Sequence, residues 1–305
     1  MTALRCLDVS ARLLSFTRAA EEMHLTQSAV SHHILSLERQ LGVQLFVRRR
    51  TGLALTSAGR TYWNDIAATL RHLERATESM IATRGRGGAL NLSVASSLAN
   101  YWLMPRLHAF VTSHPDITLN LSTHIGPIDF AINQEDASIE FCAGAQEGVE
   151  ASLVLPLVLR PYIARSALDR FTDGASLRRV AQGRYPPRDR LAEILRTHAL
   201  IRRVTVLDAW PGWLQQSGLT EAVPESHLVA GPCYALLAMA LNGAIGGLGI
   251  ALLPDYMASS AEQAGQLVCL SKERWVAPRA YYLRWPSSRP ELEALKRFSA
   301  WLGTV

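Results

Sequence analysis

Apolar residues recur at Val30, Ile34, Leu37 and Leu41, the three-and-four spacing of a helix with one buried stripe. Thr26 stands at the N-cap position, where its hydroxyl can accept a hydrogen bond from an unpaired first-turn amide. The opposite face presents Gln27, Ser28, Ser31, His32 and Arg39. Upstream, Ser15 to Met23 predicts a shorter capped helix centred on Ala19 and Ala20, small residues that let two helices cross closely. The turn His24-Leu25-Thr26 between them gives helix-turn-helix spacing. Leu4, Leu7, Ala11 and Leu14 predict a helix before the pair. Leu45-Phe46-Val47 and Leu53-Ala54-Leu55 read as short strands flanking a basic tip, Arg48-Arg49-Arg50-Thr51-Gly52, in the form of a wing.

Thr56 caps a long helix expected to reach about Thr83. Along it Trp63, Ile66, Leu70, Leu73, Thr77 and Met80 follow a heptad seam. Such a stripe is covered either by a second copy or by the chain's own DNA-reading unit, and a homodimer is the expectation. Two recognition helices on one dimer demand a roughly twofold-symmetric DNA site. The glycine-rich, basic Arg84-Gly85-Arg86-Gly87-Gly88 reads as a flexible hinge. The expected domains are residues 1–58, a linker over 59–88, and 89–305.

From Ala89 onward strand and helix patterns alternate. Strands are expected at 90–95, 117–122, 137–142, 152–163, 199–206, 227–230, 249–253, 267–270 and 280–283. Helices are expected after Ser96, near Phe130 to Ile132, within 169–197, at 210–217, 233–242, from Pro254, and at 289–302. This alternation predicts an α/β fold with largely parallel sheets. The apolar run Ala235 to Leu253 is interrupted by Asn242, Gly243, Gly246, Gly247 and Gly249. It therefore reads as a buried helix, a glycine turn and a buried strand, not as a membrane span.

Charge sharpens this division. Residues 1–90 hold twelve arginines and no lysine against seven acidic residues, while the rest balances nineteen basic with nineteen acidic. The whole formal excess of +5 lies at the helix-turn-helix end, as a polyanionic partner requires. Cys6, Cys142, Cys233 and Cys269 lie too far apart for metal or redox spacing, and no basic-then-apolar leader is evident. A reducing cytoplasm, with no membrane contact, is the expected location.

Residues 4 to 60 resemble the winged helix-turn-helix of LysR-type transcriptional regulators. The likeness runs through Phe16-Thr17-Arg18-Ala19-Ala20, Thr26-Gln27-Ser28-Ala29-Val30-Ser31, Leu37-Glu38, Leu41-Gly42, Leu45-Phe46 and Leu55-Thr56-Ser57-Ala58-Gly59. His32-His33 resembles the branch that includes regulators of glycine cleavage, β-lactamase induction and D-serine use. The second region is similar to the family's effector-binding domain at Leu92-Ser93-Val94, Leu103-Met104-Pro105-Arg106-Leu107, Phe110 with His114-Pro115, Gly249-Ile250-Ala251-Leu252-Leu253-Pro254 and Gly265-Gln266-Leu267-Val268. The resemblance implies two Rossmann-like lobes in the manner of periplasmic solute-binding proteins. Lobe one would hold 89–162 and 268–305, and lobe two 163–267. It also implies inducers bound between the lobes, homotetramers, and contact with RNA polymerase.

The candidate DNA-binding residues are Thr26, Gln27, Ser28, Ser31 and His32 at or near base edges, with Arg48, Arg49 and Arg50 on phosphates or in the minor groove. In open α/β sheets ligands sit beyond the carboxyl ends of strands. That rule selects Ser96, Ser97 and Asn100, then His124, then Thr205, then Cys233 and Tyr234 as effector contacts. Hydroxyls beside helix amides favour an anionic group, so an amino acid or another small carboxylate is the expected effector. A serine at such a turn can equally do no more than cap its helix.

No catalytic motif competes with this reading, and no cofactor or metal is expected. The run of glycines near Gly243 precedes a strand instead of following one, there is no Gly-x-Ser-x-Gly elbow, and no histidine pair has metal spacing. Two alternatives remain: a solute-binding or enzymatic α/β module carrying a DNA anchor, and a purely architectural DNA-binding protein. The second would not need over two hundred charge-neutral residues.

Overall fold

The computed structural model describes residues 1–49, 52–83, 88–130, 135–168, 185–288 and 292–305, with side chains described for only part of the long helix beyond Ala67. The chain divides into two units, Met1–Arg86 and Gly87–Val305. The first holds α1 (Thr2–Leu13), α2 (Phe16–Glu22), α3 (Gln27–Leu41), β1 (Phe46–Arg49), β2 (Gly52–Leu55) and α4 (Ser57–Thr83). Side-chain caps set two of the starts. Ser15 accepts from the Arg18 amide at 3.3 Å and Thr26 from the Ala29 amide at 3.2 Å. Leu7, Ala19, Ala20, Val30 and Ile34 form the core between α1, α2 and α3. Leu41, expected in that stripe, is 40% exposed, because Gly42 in the left-handed region ends α3 there.

The turn into the wing is fixed at Leu45. The Glu38 carboxylate accepts from the amides of Leu45 at 2.7 Å and Phe46 at 3.0 Å. α4 starts against the same residue. The Thr56 hydroxyl donates to the Gln44 carbonyl at 2.7 Å and accepts from the Gly59 amide at 2.9 Å. A Cβ on Gly59 would lie 2.1 Å from the Leu45 carbonyl oxygen, so only glycine allows this approach.

The heptad seam of α4 divides along its length. Trp63 and Ile66 pack on the core of their own unit, and the Trp63 indole donates to Asp8 of α1 at 2.9 Å. Leu70 is 6% exposed in the single chain, whereas Leu73 is 41% exposed. Thr77 is exposed, its hydroxyl donating to the Leu73 carbonyl at 2.8 Å, and the Met80 side chain lies outside the described residues.

The second unit is organised by β3 (Gly88–Ala95), β4 (Ile117–His124), β5 (Ala137–Cys142), β6 (Val149–Ala164), β7 (Leu200–Arg203), β8 (Cys233–Tyr234), β9 (Ile250–Leu253), β10 (Leu267–Cys269) and β11 (Trp275–Pro286). They run in the order β4-β3-β5-β11-β6-β9-β7-β8, with β10 also on β6. The expected largely parallel arrangement needs correction. β3, β4 and β5 are parallel, as are β7, β8 and β9, but β6 and β11 run antiparallel to their neighbours. These two long strands pair from Trp275 opposite Leu159 to Pro286 opposite Val149 and join the two parallel halves. Pro156 does not end β6, because it falls where the β11 register shifts between Val276 and Ala280.

Two further expectations change. The strand expected at 227–230 is a helix, Glu225–Ala230, with Pro224 before it and Glu225 in its first turn, both helix-starting signals. The helix expected at 233–242 starts only at Leu237, because Cys233 and Tyr234 pair with Arg202 and Arg203 as a short strand. The segment after Ser96 is a helical turn, a π turn over Ala99–Leu103 and a helix over Met104–Ser113. The expected hinge at 84–87, the rest of the short helix beyond Phe130, and the helical stretch at 169–184 lie outside the described residues. The apolar run resolves into the helix Leu237–Ile245 and buried β9. Gly249 between them has φ of 147° and no room for a Cβ, which would lie 2.1 Å from the Ala199 carbonyl oxygen. No helix among the described residues is long and apolar enough to cross a membrane.

Gly59→Ala is expected to destabilise the N-terminal unit by about 1–3 kcal/mol, since Leu45 and α4 must separate to admit the methyl group. Urea unfolding followed by circular dichroism checks this, and an unchanged midpoint would show that the contact relaxes freely.

Candidate nucleic-acid interface and ligand cavity

Capping and burial together fix the outward face of α3. With Val30, Ile34 and Leu37 buried, Thr26, Gln27, Ser28 and His32 are exposed and Ser31 is half-buried. The Thr26 hydroxyl also lies 3.0 Å from that of Ser28, so the first turn presents an ordered polar edge. Ser31, Glu38, Gln44 and Arg48 border a groove between α3 and the wing. Arg48 is exposed; the Arg49 side chain and Arg50 lie outside the described residues.

The second unit holds a cavity of about 540 Å³ at the carboxyl ends of β3, β5 and β7. Ser96, Ser97, His124 and Thr205, all selected from the sequence, line it. The other three candidates do not. Asn100 is exposed and donates back to the Ser96 carbonyl at 3.0 Å. Cys233 is exposed, and Tyr234 packs on the hydrophobic core. Ser97 is 7% exposed, and its hydroxyl accepts from the Ala238 amide at 3.1 Å. It thus caps a helix, but one 141 residues away in sequence, on the far wall. His124 holds Ser93 through Nδ1 at 2.9 Å, and burial lowers its basicity despite the opposing effect of Glu140 and Glu135.

Glu140, Arg203, Arg279, Tyr281 and Arg284, which sequence reasoning missed, also line the cavity. Glu140 and Arg284 are 2% and 5% exposed. Arg284 donates to Glu140 at 2.9 Å and to Gln146 at 3.0 Å, while Glu140 also accepts from Ser138 and, at 3.3 Å, from the Ile128 amide. Arg203 and Arg279 converge on Thr205. Arg203 donates to its hydroxyl at 2.7 Å, Arg279 donates to its carbonyl, and the Arg279 guanidinium lies 4.8 Å from the centre of the Phe141 ring. Burial depresses the basicity of Arg203, and neighbouring Arg279 acts in the same direction. One of the missed residues left a signal in the sequence: Glu140 is the single charge in the strand Ala137–Cys142.

Among the described residues no cluster could hold a metal ion, and all four cysteines are unpaired. A winged helix-turn-helix with a polar reading edge, carried with an α/β unit that holds a partly closed cavity with charged groups set in a largely apolar wall, defines a DNA-binding regulator with its own ligand-sensing unit.

The comparisons carry this to a family. Residues 1–60 match the bacterial regulatory helix-turn-helix proteins of the lysR family, and residues 177–305 match the LysR substrate binding domain. The chain is 34% identical over 302 residues to the glycine cleavage system transcriptional activator of Escherichia coli strain K12, covering 99% of this chain and 92% of that one. The solved effector domain of the transcriptional regulator AmpR of Pseudomonas aeruginosa is 28% identical, with a TM-score of 0.57 over 70% of this chain and 93% of that one. Full-length CbnR complexed with its target DNA gives a TM-score of 0.66 over 99% of this chain and 98% of that one; at 16% identity this likeness concerns the fold alone. The chain belongs to the LysR family of transcriptional regulators.

The buried pair sets a stability test. Glu140→Ala leaves Arg284 without its carboxylate and is expected to cost about 3–5 kcal/mol, whereas a joint Glu140→Met and Arg284→Met replacement costs much less. Denaturant unfolding of the two variants compares them; equal losses would show that packing, not charge pairing, governs the site.

Proposed function

We propose that this protein binds an inverted-repeat promoter site as a homodimer, within a homotetramer, and changes its hold on that site when a small molecule enters the cavity of the second unit. The observation that carries the reading is the exposed polar edge of α3 beside the exposed Arg48 of the wing. Gln27 can bond adenine at two positions, Ser28, Ser31 and His32 reach neighbouring base edges, and Thr26 orders the turn that presents them. Arg48, with Arg49 and Arg50, supplies charge for the phosphates or the minor groove.

Pairing of two chains falls to the outer part of α4. Trp63, Ile66 and Leu70 are already covered in the single chain, which leaves Leu73 and Thr77 exposed, with Met80 next along the seam. The effector, an amino acid or another small carboxylate, would lie between the two lobes against Ser96, Ser97, His124 and Thr205. A ligand that favours one lobe arrangement shifts the population of tetramer geometries, and with it DNA bending and contact with RNA polymerase.

Selection of duplexes from a random pool at moderate salt is expected to enrich an inverted repeat; binding without enrichment, fading as salt rises, would refute sequence reading. Gln27→Ala is expected to relax preference at one position of each half-site by about 1–3 kcal/mol. Uniform weakening on all duplexes would assign Gln27 to the backbone instead. Leu73→Asp is expected to lower the mass of the assembly in sedimentation, to dimers or monomers, without unfolding the N-terminal unit, and an unchanged mass would remove α4 from the dimer contact.

A further inference from the structure

The cavity carries more positive charge than its walls neutralise. Glu140 lies against Arg284 at 2.9 Å and is saturated by Ser138 and the Ile128 amide. That leaves Arg203 and Arg279, and among the described residues neither has a carboxylate within ion-pair distance. The two guanidiniums meet on one residue, Thr205, whose hydroxyl and carbonyl are neutral acceptors. Nε and Nη1 of Arg203 are buried with no hydrogen-bond partner. Two like charges held together with no counter-charge are costly unless something negative arrives.

We propose that the effector is a small dianion, bound with its negative charge set against Arg203 and Arg279. This rests on the reading of the cavity as the effector site. The charge sum favours two negative charges over one, because a monoanion would leave one guanidinium uncompensated in a partly closed space. The forked donors of arginine match the paired oxygens of a carboxylate or a phosphate. Ser96, beyond the end of β3, lines the same cavity and offers a hydroxyl to the rest of the ligand. The wall is otherwise largely apolar, with Phe141 and Tyr281 among its larger groups, and a volume of about 540 Å³ suits a metabolite-sized molecule.

The test uses the full chain, titrated calorimetrically and unfolded thermally with three dianions: succinate, glutarate and glycerol 3-phosphate. Propionate, alanine and succinamide serve as monoanion, zwitterion and neutral controls. At least one dianion is expected to raise the unfolding midpoint and to bind about tenfold or more tightly than any control. Arg203→Gln and Arg279→Gln are each expected to weaken that binding by about tenfold or more. Arg279→Lys keeps the charge without the fork and should fall between. Unfolding midpoints in buffer alone check that each variant is folded; Arg203→Gln should match or exceed the unaltered chain there, since it removes an uncompensated buried charge. Response to dicarboxylates alone or to the phosphate ester alone assigns the acidic group. The proposal is overturned if no dianion binds, if alanine or succinamide binds better, or if both glutamine variants bind dianions as the unaltered chain does. Dianion binding through these arginines that leaves duplex binding unaltered would instead sink the effector reading and keep the site.

Discussion

The backbone of Leu45 is the point on which the DNA-reading unit depends. The Glu38 carboxylate reaches from α3 to its amide, and the first turn of α4 presses Gly59 against its carbonyl. The recognition helix, wing and long helix are therefore tied through one residue, and their mutual angles are not free. A carboxylate accepting two backbone amides makes charge-assisted bonds, stronger than neutral ones. Ser31 and Glu38, two turns apart on α3, border the same groove, so this junction lies beside the polar edge of the helix and holds it in place.

The second unit separates its tasks differently. β6 and β11 pair along their length and join the two halves of the sheet, and β11 supplies both Arg279 and Arg284, while the parallel strands contribute the turns with Ser96, His124 and Thr205. One ion pair, Glu140 with Arg284, is structural and closed. The other cationic residues are open to a partner from outside. A cavity in which one charge is satisfied and two are not is biased toward a ligand class before any fit of shape is considered.

The helix-turn-helix was legible because its signals are local. Thr26 caps Ala29 three residues on, and the spacing of Val30, Ile34 and Leu37 alone orients the helix. The seam of α4 was only partly legible, since a heptad stripe looks the same whether it covers a second copy or its own unit. What decides for Trp63 is Asp8, 55 residues away. The cavity divides likewise. Ser96, Ser97, His124 and Thr205 follow from the rule that ligands meet the carboxyl ends of strands, whereas Glu140 and Arg284 are brought together by a pairing across 144 residues. That pairing is antiparallel, which the alternating pattern gave no reason to expect. Cys233 and Tyr234 lie outside the cavity lining, on a short strand paired with β7 where a helix was expected.

The bond between Trp63 and Asp8 has a mechanical consequence. It fastens α4 to α1, and the Leu45 junction fastens α4 to the wing, so the first turns of the long helix are tied to the helix-turn-helix core. α4 spans 27 residues, which makes it a lever of about 40 Å. A tilt of about 5° at one end sweeps the other by about 3.5 Å, more than the length of a hydrogen bond. Small rotations at one end of the lever are therefore enough to displace the other by more than a hydrogen bond spans.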